Sequence, residues 1–246
     1  MCGIFGQTEL NFKALKESLK VAREALEAKK TKSQQLLLPN FNIWTGMSAW
    51  VLLNTEPQWL QPLQFGLTPS WAKKQMYLFN ARTEGDANVQ NSTDYAGAMG
   101  IFEKPSFREA ILYRRCLIPM DYFIEGPEQL GLRKPFLIQK SDRSGFVVAG
   151  IWDKWVDARQ QEVCSFSILT TAAAPLIQEI GHHRSPLVLA EEHYDQWLSP
   201  ATSTKELVAL MRPFDASDFS LYPISEGVTK KRNSPEVMTP VLTLFD

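Results

Sequence analysis

The chain opens Met1-Cys2-Gly3-Ile4-Phe5-Gly6-Gln7, and this stretch constrains the fold more than any other. Its apolar and small residues read as a short buried strand carrying Cys2 inward, so the rest of the chain has to assemble around its own beginning. A cysteine directly after the initiator methionine also carries chemistry. Methionine aminopeptidases clip Met when a small residue follows, and clipping would leave a 1,2-aminothiol. Its α-amine titrates at about 7.7–8.0 and its thiol at about 8.5. Near neutral pH a useful share of that amine is uncharged and can attack an aldehyde, after which the thiol can close a five-membered thiazolidine. The same terminus fits the thiol nucleophile of an amidotransferase, with its own amine as general base. A second-position cysteine without a task is the third reading.

The totals narrow the field. Twenty-six basic against twenty-seven acidic residues give a net charge of −1, so any nucleic-acid contact must come from a local basic groove. Three cysteines (Cys2, Cys116, Cys164) form an odd set without CxxC spacing, which argues against a disulfide framework and against a zinc site. No apolar run reaches about 18 residues, and no basic-then-apolar signal follows Met1, so the chain reads as soluble and of a reducing compartment. Seven Trp and fourteen Phe in 246 residues supply a sizeable core. With no repeat, low-complexity tract or linker, residues 1–246 read as one domain.

Along the chain, Phe12, Leu15, Leu19, Ala22 and Leu26 recur near helical spacing and predict an amphipathic helix from Asn11 to Lys30. Strands follow at Phe41–Trp44, Ala49–Leu53 and Leu63–Leu67, then a turn whose Trp71 is a groove aromatic or a core Trp. Asn80, Arg82 and Glu84 would share one face of a strand, and 86–100 reads as a loop. Glu103–Arg115 predicts a helix, Cys116–Pro119 a strand, and Asp121–Glu125 an apolar strand closed by a carboxylate. Partial burial there would raise the Glu125 pKa and suit it to general acid–base work. Pro135–Gln139 and Phe146–Trp152 would pair as a hairpin, with Ser165–Thr170 a further strand and Ala172–Ile180 a short helix. His182 and His183 precede an apolar strand; with no third ligand nearby, no metal is expected. Ser203 and Glu206 fit a capping box for a helix running to Arg212, and a last apolar strand ends the chain.

In this order the segments are similar to the motifs of the SOS response-associated peptidase (SRAP) family, which crosslinks to abasic sites. Besides Met1-Cys2-Gly3, they are Phe65–Ala72 (resembling WGLIPSWA), Asn80–Glu84 (NARAE), Glu103–Arg108, Arg115–Glu125 (RCLVPADGFYEW), Ala149–Asp153 (AGLWE) and His182–Pro186 (HxRMP). The resemblance spans nearly the whole chain. It implies an α+β single domain with a β-rich, partly barrel-like core surrounded by helices. It implies binding to single-stranded DNA and capture of the ring-opened aldehyde of an abasic site as a thiazolidine on Cys2, once Met1 is removed in an autopeptidase-like or aminopeptidase step. Catalytic residues carried over by position are Cys2 as nucleophile, Asn80 positioning the terminus or the deoxyribose, Glu125 shuttling protons, and His182 assisting ring opening. Arg82 and Arg184 would pair with phosphates and Trp71 would stack on a base. The implied partner is single-stranded DNA with abasic sites, met by a monomer in the cytoplasm or nucleoid (the nucleus if eukaryotic), with no cofactor, no metal and no membrane, and with a lyase side reaction. Ile4 stands where the family has Arg, the Phe41–Thr45 stretch lacks a proline, Gly126 replaces a Trp, and Ser185 replaces a Met.

Two rivals remain. Cys-Gly-Ile-Phe-Gly also begins class II glutamine amidotransferases, but their His-Thr-Arg-Trp and Asn-Gly elements are missing here. The other rival is an SRAP-fold protein that binds single-stranded DNA without crosslinking; the loss of Arg at position 4 favours it, and the joint presence of Cys2, Asn80, Glu125 and His182 speaks against it.

Overall fold

The computed structural model describes residues 3–8, 19, 39–230 and 232–241. Cys2 and nearly all of the helix expected over Asn11–Lys30 lie outside the described residues, as do 242–246 at the end of the chain. The N-terminal strand is β1 (Ile4–Gln7), buried along its whole length. It is inserted between β2 (Asn40–Trp44) and β7 (Tyr122–Glu125), antiparallel to both, with Ile4 opposite Trp44 on one edge and Ile124 on the other. Beyond β7, β8 (Phe136–Lys140) and β13 (Phe219–Pro223) complete a five-stranded sheet.

A second set of five strands closes on itself. β3 (Ser48–Leu53) pairs with β4 (Glu56–Phe65), β4 with β10 (Glu162–Ala172), β10 with β9 (Phe146–Val156), β9 with β6 (Arg115–Met120), and β6 with β3 again. This ring is the barrel that the resemblance implied, and the fold is α+β with a β-rich core. Closure removes the exposed edges that an open sheet would leave. Near its C-terminal end β10 carries short additions on its two edges. β5 (Asn80–Arg82) continues the β4 side, and β11 (Arg184–Pro186) continues the β9 side. β12 (Val188–Leu189) lies along β9.

The apolar runs of β3, β6 and β9 are continuous because both strand faces are buried. Val51, Leu53, Cys116, Ile118 and Val148 pack in one cluster with Phe5 and Phe123 of the smaller sheet. Their alternating neighbours Leu52, Leu117, Val147 and Ala149 pack outward. They meet Ile111 of α1 (Arg108–Tyr113) and Trp197, reached after α2 (Pro175–Glu179), in α3 (Tyr194–Leu198). Arg115, 1% exposed, ties these helices down: its guanidinium donates to the carbonyls of Ile111, Leu112, Trp197 and Ser199, groups that helix ends leave without partners. The predicted capping box of Ser203 and Glu206 opens α4 (Thr204–Leu210). None of the described helices is long and apolar enough to cross a membrane.

Several sequence expectations change. The helix expected over Glu103–Arg115 spans only Arg108–Tyr113, and the strand expected to carry Asn80, Arg82 and Glu84 ends at Arg82. Pro135–Gln139 and Phe146–Trp152 do not form a hairpin: β8 and β9 fall in different sheets, because each finds longer partners in β13 and β7, or in β6 and β10. The strand expected from Leu63 starts at Glu56, since Pro57 and Pro62 do not end it.

The two sheets are joined through Gln7. Its buried side-chain amide donates to the carbonyls of Trp50 and Pro119, both at 2.8 Å, and its Oε1 accepts from the Trp50 N–H at 2.9 Å. Next along the chain, Thr8 donates through its backbone N–H and its hydroxyl to Asp121 Oδ2. Gly6 makes room for this approach, because a β-carbon there would overlap the Tyr122 ring, whose hydroxyl donates to Phe41 O at 2.7 Å. Gln7→Ala would leave buried backbone groups of two barrel strands unpaired, so it is expected to cost about 3 kcal/mol in urea unfolding. A loss below about 0.5 kcal/mol, the size of a surface substitution, would contradict this anchoring role.

Candidate functional site

Three segments converge where β1 meets β7. The first is the end of β7, where Glu125 and Gly126 leave the sheet. The second is the turn Gly181-His182-His183 that feeds β11. The third is the stretch after β5, from Thr83 to Thr93. His182, in the turn, and Arg184, at the start of β11, meet two different carboxylates, Glu125 and Glu84.

His182 faces Glu125, Nε2 to Oε2 at 3.5 Å, with both side chains more than nine-tenths buried. Burial pushes the Glu125 carboxyl above its usual range, and the Gly126 N–H, 3.4 Å from Oε1, offsets this only in part. Burial also drives His182 down to about 3, helped by the neighbouring His183 and Arg184. Near neutral pH the imidazole is therefore neutral, and the carboxyl holds its proton to a higher pH than an exposed glutamate. The sequence expectation that Glu125 is buried holds.

Arg184 meets the opposite situation. Its guanidinium grips Glu84 through two hydrogen bonds, NH1–Oε1 at 3.1 Å and NH2–Oε2 at 2.7 Å, and NH2 also donates to Thr170 O at 2.7 Å. Burial by itself raises the Glu84 carboxyl, but the adjacent guanidinium more than offsets it and the pKa falls below the usual range. Glu84 also accepts from the Ala172 N–H and the Thr83 hydroxyl. At 1% exposure Arg184 is a buried cation with its own counterion, and a phosphate would reach it only by displacing Glu84.

Asn80 and Arg82 lie on one face of β5, paired to Ile168 and Thr170 of β10. Both amide atoms of Asn80 are shielded from solvent and have no hydrogen-bond partner among the described residues. Arg82 donates through NH2 to Asn88 O and Asn91 Oδ1. Trp71 is held elsewhere, its indole N–H on Pro105 O at 3.2 Å and its ring 58% exposed, which excludes the core reading. Among the described residues no three His, Cys, Asp or Glu side chains converge as a metal site.

Two departures from the family pattern acquire reasons. Ile4 is 1% exposed and packs with Ile124, Leu137, Ile224 and Val228, so the position faces a small apolar cluster rather than solvent. Gly126 is required because a β-carbon there would overlap the Gly131 carbonyl oxygen, so the 127–134 segment occupies the space that a side chain would need. That segment reaches the histidine turn: the Glu128 N–H donates to Gly181 O at 3.0 Å, and its carboxylate sits 2.7 Å from His183 Nδ1. Sequence reading missed Asn91 and Glu128. Neither belongs to a motif: Asn91 bridges Arg82, nine residues away, and Arg184, 93 residues away, and Glu128 meets His183 55 residues on, pairings that no local spacing signals.

The family model for the SOS response associated peptidase (SRAP) matches residues 1–231. The chain is 30% identical over 207 residues to the abasic site processing protein YoqW of Bacillus subtilis, covering 81% of this chain and 85% of that protein. It is 28% identical over 209 residues to the abasic site processing protein HMCES of Rattus norvegicus, covering 73% of this chain and 56% of that protein. An X-ray structure of a protein from Bacteroides thetaiotaomicron has a TM-score of 0.80 at 26% identity, covering 98% of this chain and all of that one.

The buried ion pair gives a test of its own. Arg184→Met strands the Glu84 charge and is expected to cost about 3–5 kcal/mol in chemical denaturation, whereas Glu84→Gln/Arg184→Met, which strands no charge, costs less. A double variant as unstable as the sum of the singles would show that the two side chains act independently.

Proposed function

The chain belongs to the SOS response associated peptidase family, and on that premise we propose that it processes abasic sites in single-stranded DNA by attaching itself to them through Cys2. The relatives named as abasic site processing proteins support the substrate class. The observation that supports the chemistry is the register of β1 on β7. Ile4 pairs with Ile124, so the backbone continuing back to Gly3 runs toward Glu125, and Glu125 faces a neutral His182.

Met1 has to leave first, since a 1,2-aminothiol needs a free α-amine on Cys2. That amine adds to the C1′ aldehyde of the ring-opened sugar, and the carbinolamine loses water to give an imine. The thiol sulfur then adds to the imine carbon, the C=N electrons go to nitrogen, and the thiol proton is taken up, giving a thiazolidine with one water released overall. Glu125, whose carboxyl burial pushes toward its acid form, donates to the departing hydroxyl, and its carboxylate then accepts the thiol proton. His182, neutral, accepts the sugar hydroxyl proton as the ring opens. Asn80, its shielded amide without a partner among the described residues, positions the Cys2 terminus or the deoxyribose, Arg82 pairs with a phosphate, and the exposed Trp71 offers a stacking face. Arg184 takes a positioning role through Glu84 in place of a phosphate contact.

Incubation with a single-stranded oligonucleotide carrying one abasic site, followed by a denaturing gel, tests this reading. Wild type gives a heat-stable shifted band, Cys2→Ala gives none, and Cys2→Ser gives at most a labile adduct, an oxazolidine being weaker. A stable adduct on Cys2→Ala overturns the proposal. Glu125→Gln is expected to slow crosslinking roughly a hundredfold while the protein stays folded. The pH profile follows from the shifts. Deprotonation of the amine, around pH 7.7–8.0, favours attack, while loss of the Glu125 proton slows dehydration at a pH above that of an exposed glutamate, a dependence that Glu125→Gln is expected to lack.

A further inference from the structure

Beside the Glu125–His182 pair lies a cavity of about 380 Å³, bordered by the Asn91-Ser92-Thr93 stretch on one side and by Gln178, His182 and His183 on the other. Its size falls within the roughly 300–1,000 Å³ usual for pockets that hold small molecules. The lining is unlike a phosphate site. It contains no lysine or arginine, its His182 is held neutral by burial, and the Glu128 carboxylate stands against His183 Nδ1 at its rim. The nearest guanidiniums are turned to the loop itself: Asn91 Oδ1 accepts from Arg82 NH2 at 3.0 Å and from Arg184 NH1 at 3.4 Å. What the cavity offers is amides, hydroxyls and a flat ring. Gln178 spends its Nε2 on Ala173 O and keeps its Oε1 to accept. His183 stacks on His182 at a centroid distance of 5.3 Å with its side chain 32% exposed, presenting an aromatic face.

Amide and hydroxyl groups matched to a stacking ring are how proteins hold an unpaired nucleobase. We propose that this cavity is a base-binding subsite that takes the nucleobase next to the lesion. This rests on the abasic-site reading above and deepens it. His182 lines both the subsite and the proton-transfer pair, so a base seated on His183 fixes the neighbouring sugar against Glu125. The 86–93 loop, through Asn91, couples this subsite to Arg82 and to the Glu84–Arg184 pair.

The test uses single-stranded oligonucleotides with one abasic site whose neighbour, on one side or the other, is a normal nucleotide or a baseless tetrahydrofuran spacer. Crosslinking rate is read on these strands. Kd is read by fluorescence anisotropy on matched strands in which tetrahydrofuran also replaces the reactive site. Replacing the seated base by spacer on one side is expected to slow capture and weaken binding about tenfold, the scale of one lost base stack. In His183→Ala/Gln178→Leu the ratio between the base and spacer strands is expected to fall to one. A merely structural role would instead slow both strands alike and leave the ratio intact, which overturns the subsite, as does a wild-type protein indifferent to the neighbouring base. If no strand is captured but Kd still depends on that base, the crosslinking reading fails and the subsite stands. If neither capture nor binding is seen, both fall.

Discussion

The insertion of β1 between β2 and β7 is the constraint on which the rest of the structure depends. A four-residue strand has too few ladder bonds to hold its place against fraying, and chain termini fray first. Gln7 supplies what the strand lacks, three hydrogen bonds to the backbone of two barrel strands in a region without water to compete. Thr8 adds the contact to Asp121. With the strand pinned at its C-terminal end, its N-terminal end is carried past Ile124 to Glu125.

Around that fixed point, one buried region holds two carboxylates in opposite states. Glu84 is matched by a bidentate guanidinium and stays ionised; Glu125 is matched by a neutral imidazole and is pushed toward its acid form. The difference is that Arg184 offsets burial at Glu84, whereas burial prevails at Glu125, which faces the neutral His182. Carboxylates driven apart in this way are the usual physical basis for assigning one group to structure and another to proton transfer. The barrel makes this possible because β10 presents both edges at its end, one to β5 and one to β11.

Much of this was legible in the residues. The strands at Phe41–Trp44 and Ala49–Leu53 emerged within a residue at each end because β-branched and aromatic runs buried on both faces have few alternatives. The Glu125 burial followed from a carboxylate closing an apolar run, and the Ser203 capping box from local spacing. Contacts made at long range were not legible. Nothing near Arg184 announces Glu84 a hundred residues earlier, so the ion pair that buries its guanidinium was not foreseen. The hairpin expected of β8 and β9 had the right strands and the wrong partners, since periodicity gives a strand its faces and not its neighbours. Ile4 and Gly126 read as losses; in the fold, the first packs with the segment bearing Ile224 and Val228, and the second admits the segment that reaches His183.

The proposed function makes Cys2 the point of covalent attachment. The most direct measurement is peptide mass mapping of the protease-digested, denatured adduct formed with an abasic oligonucleotide. The sugar remnant is expected on a peptide that begins at Cys2 and lacks Met1, with a mass equal to peptide plus remnant less one water. A remnant on a lysine, or on a peptide that retains Met1, would contradict it.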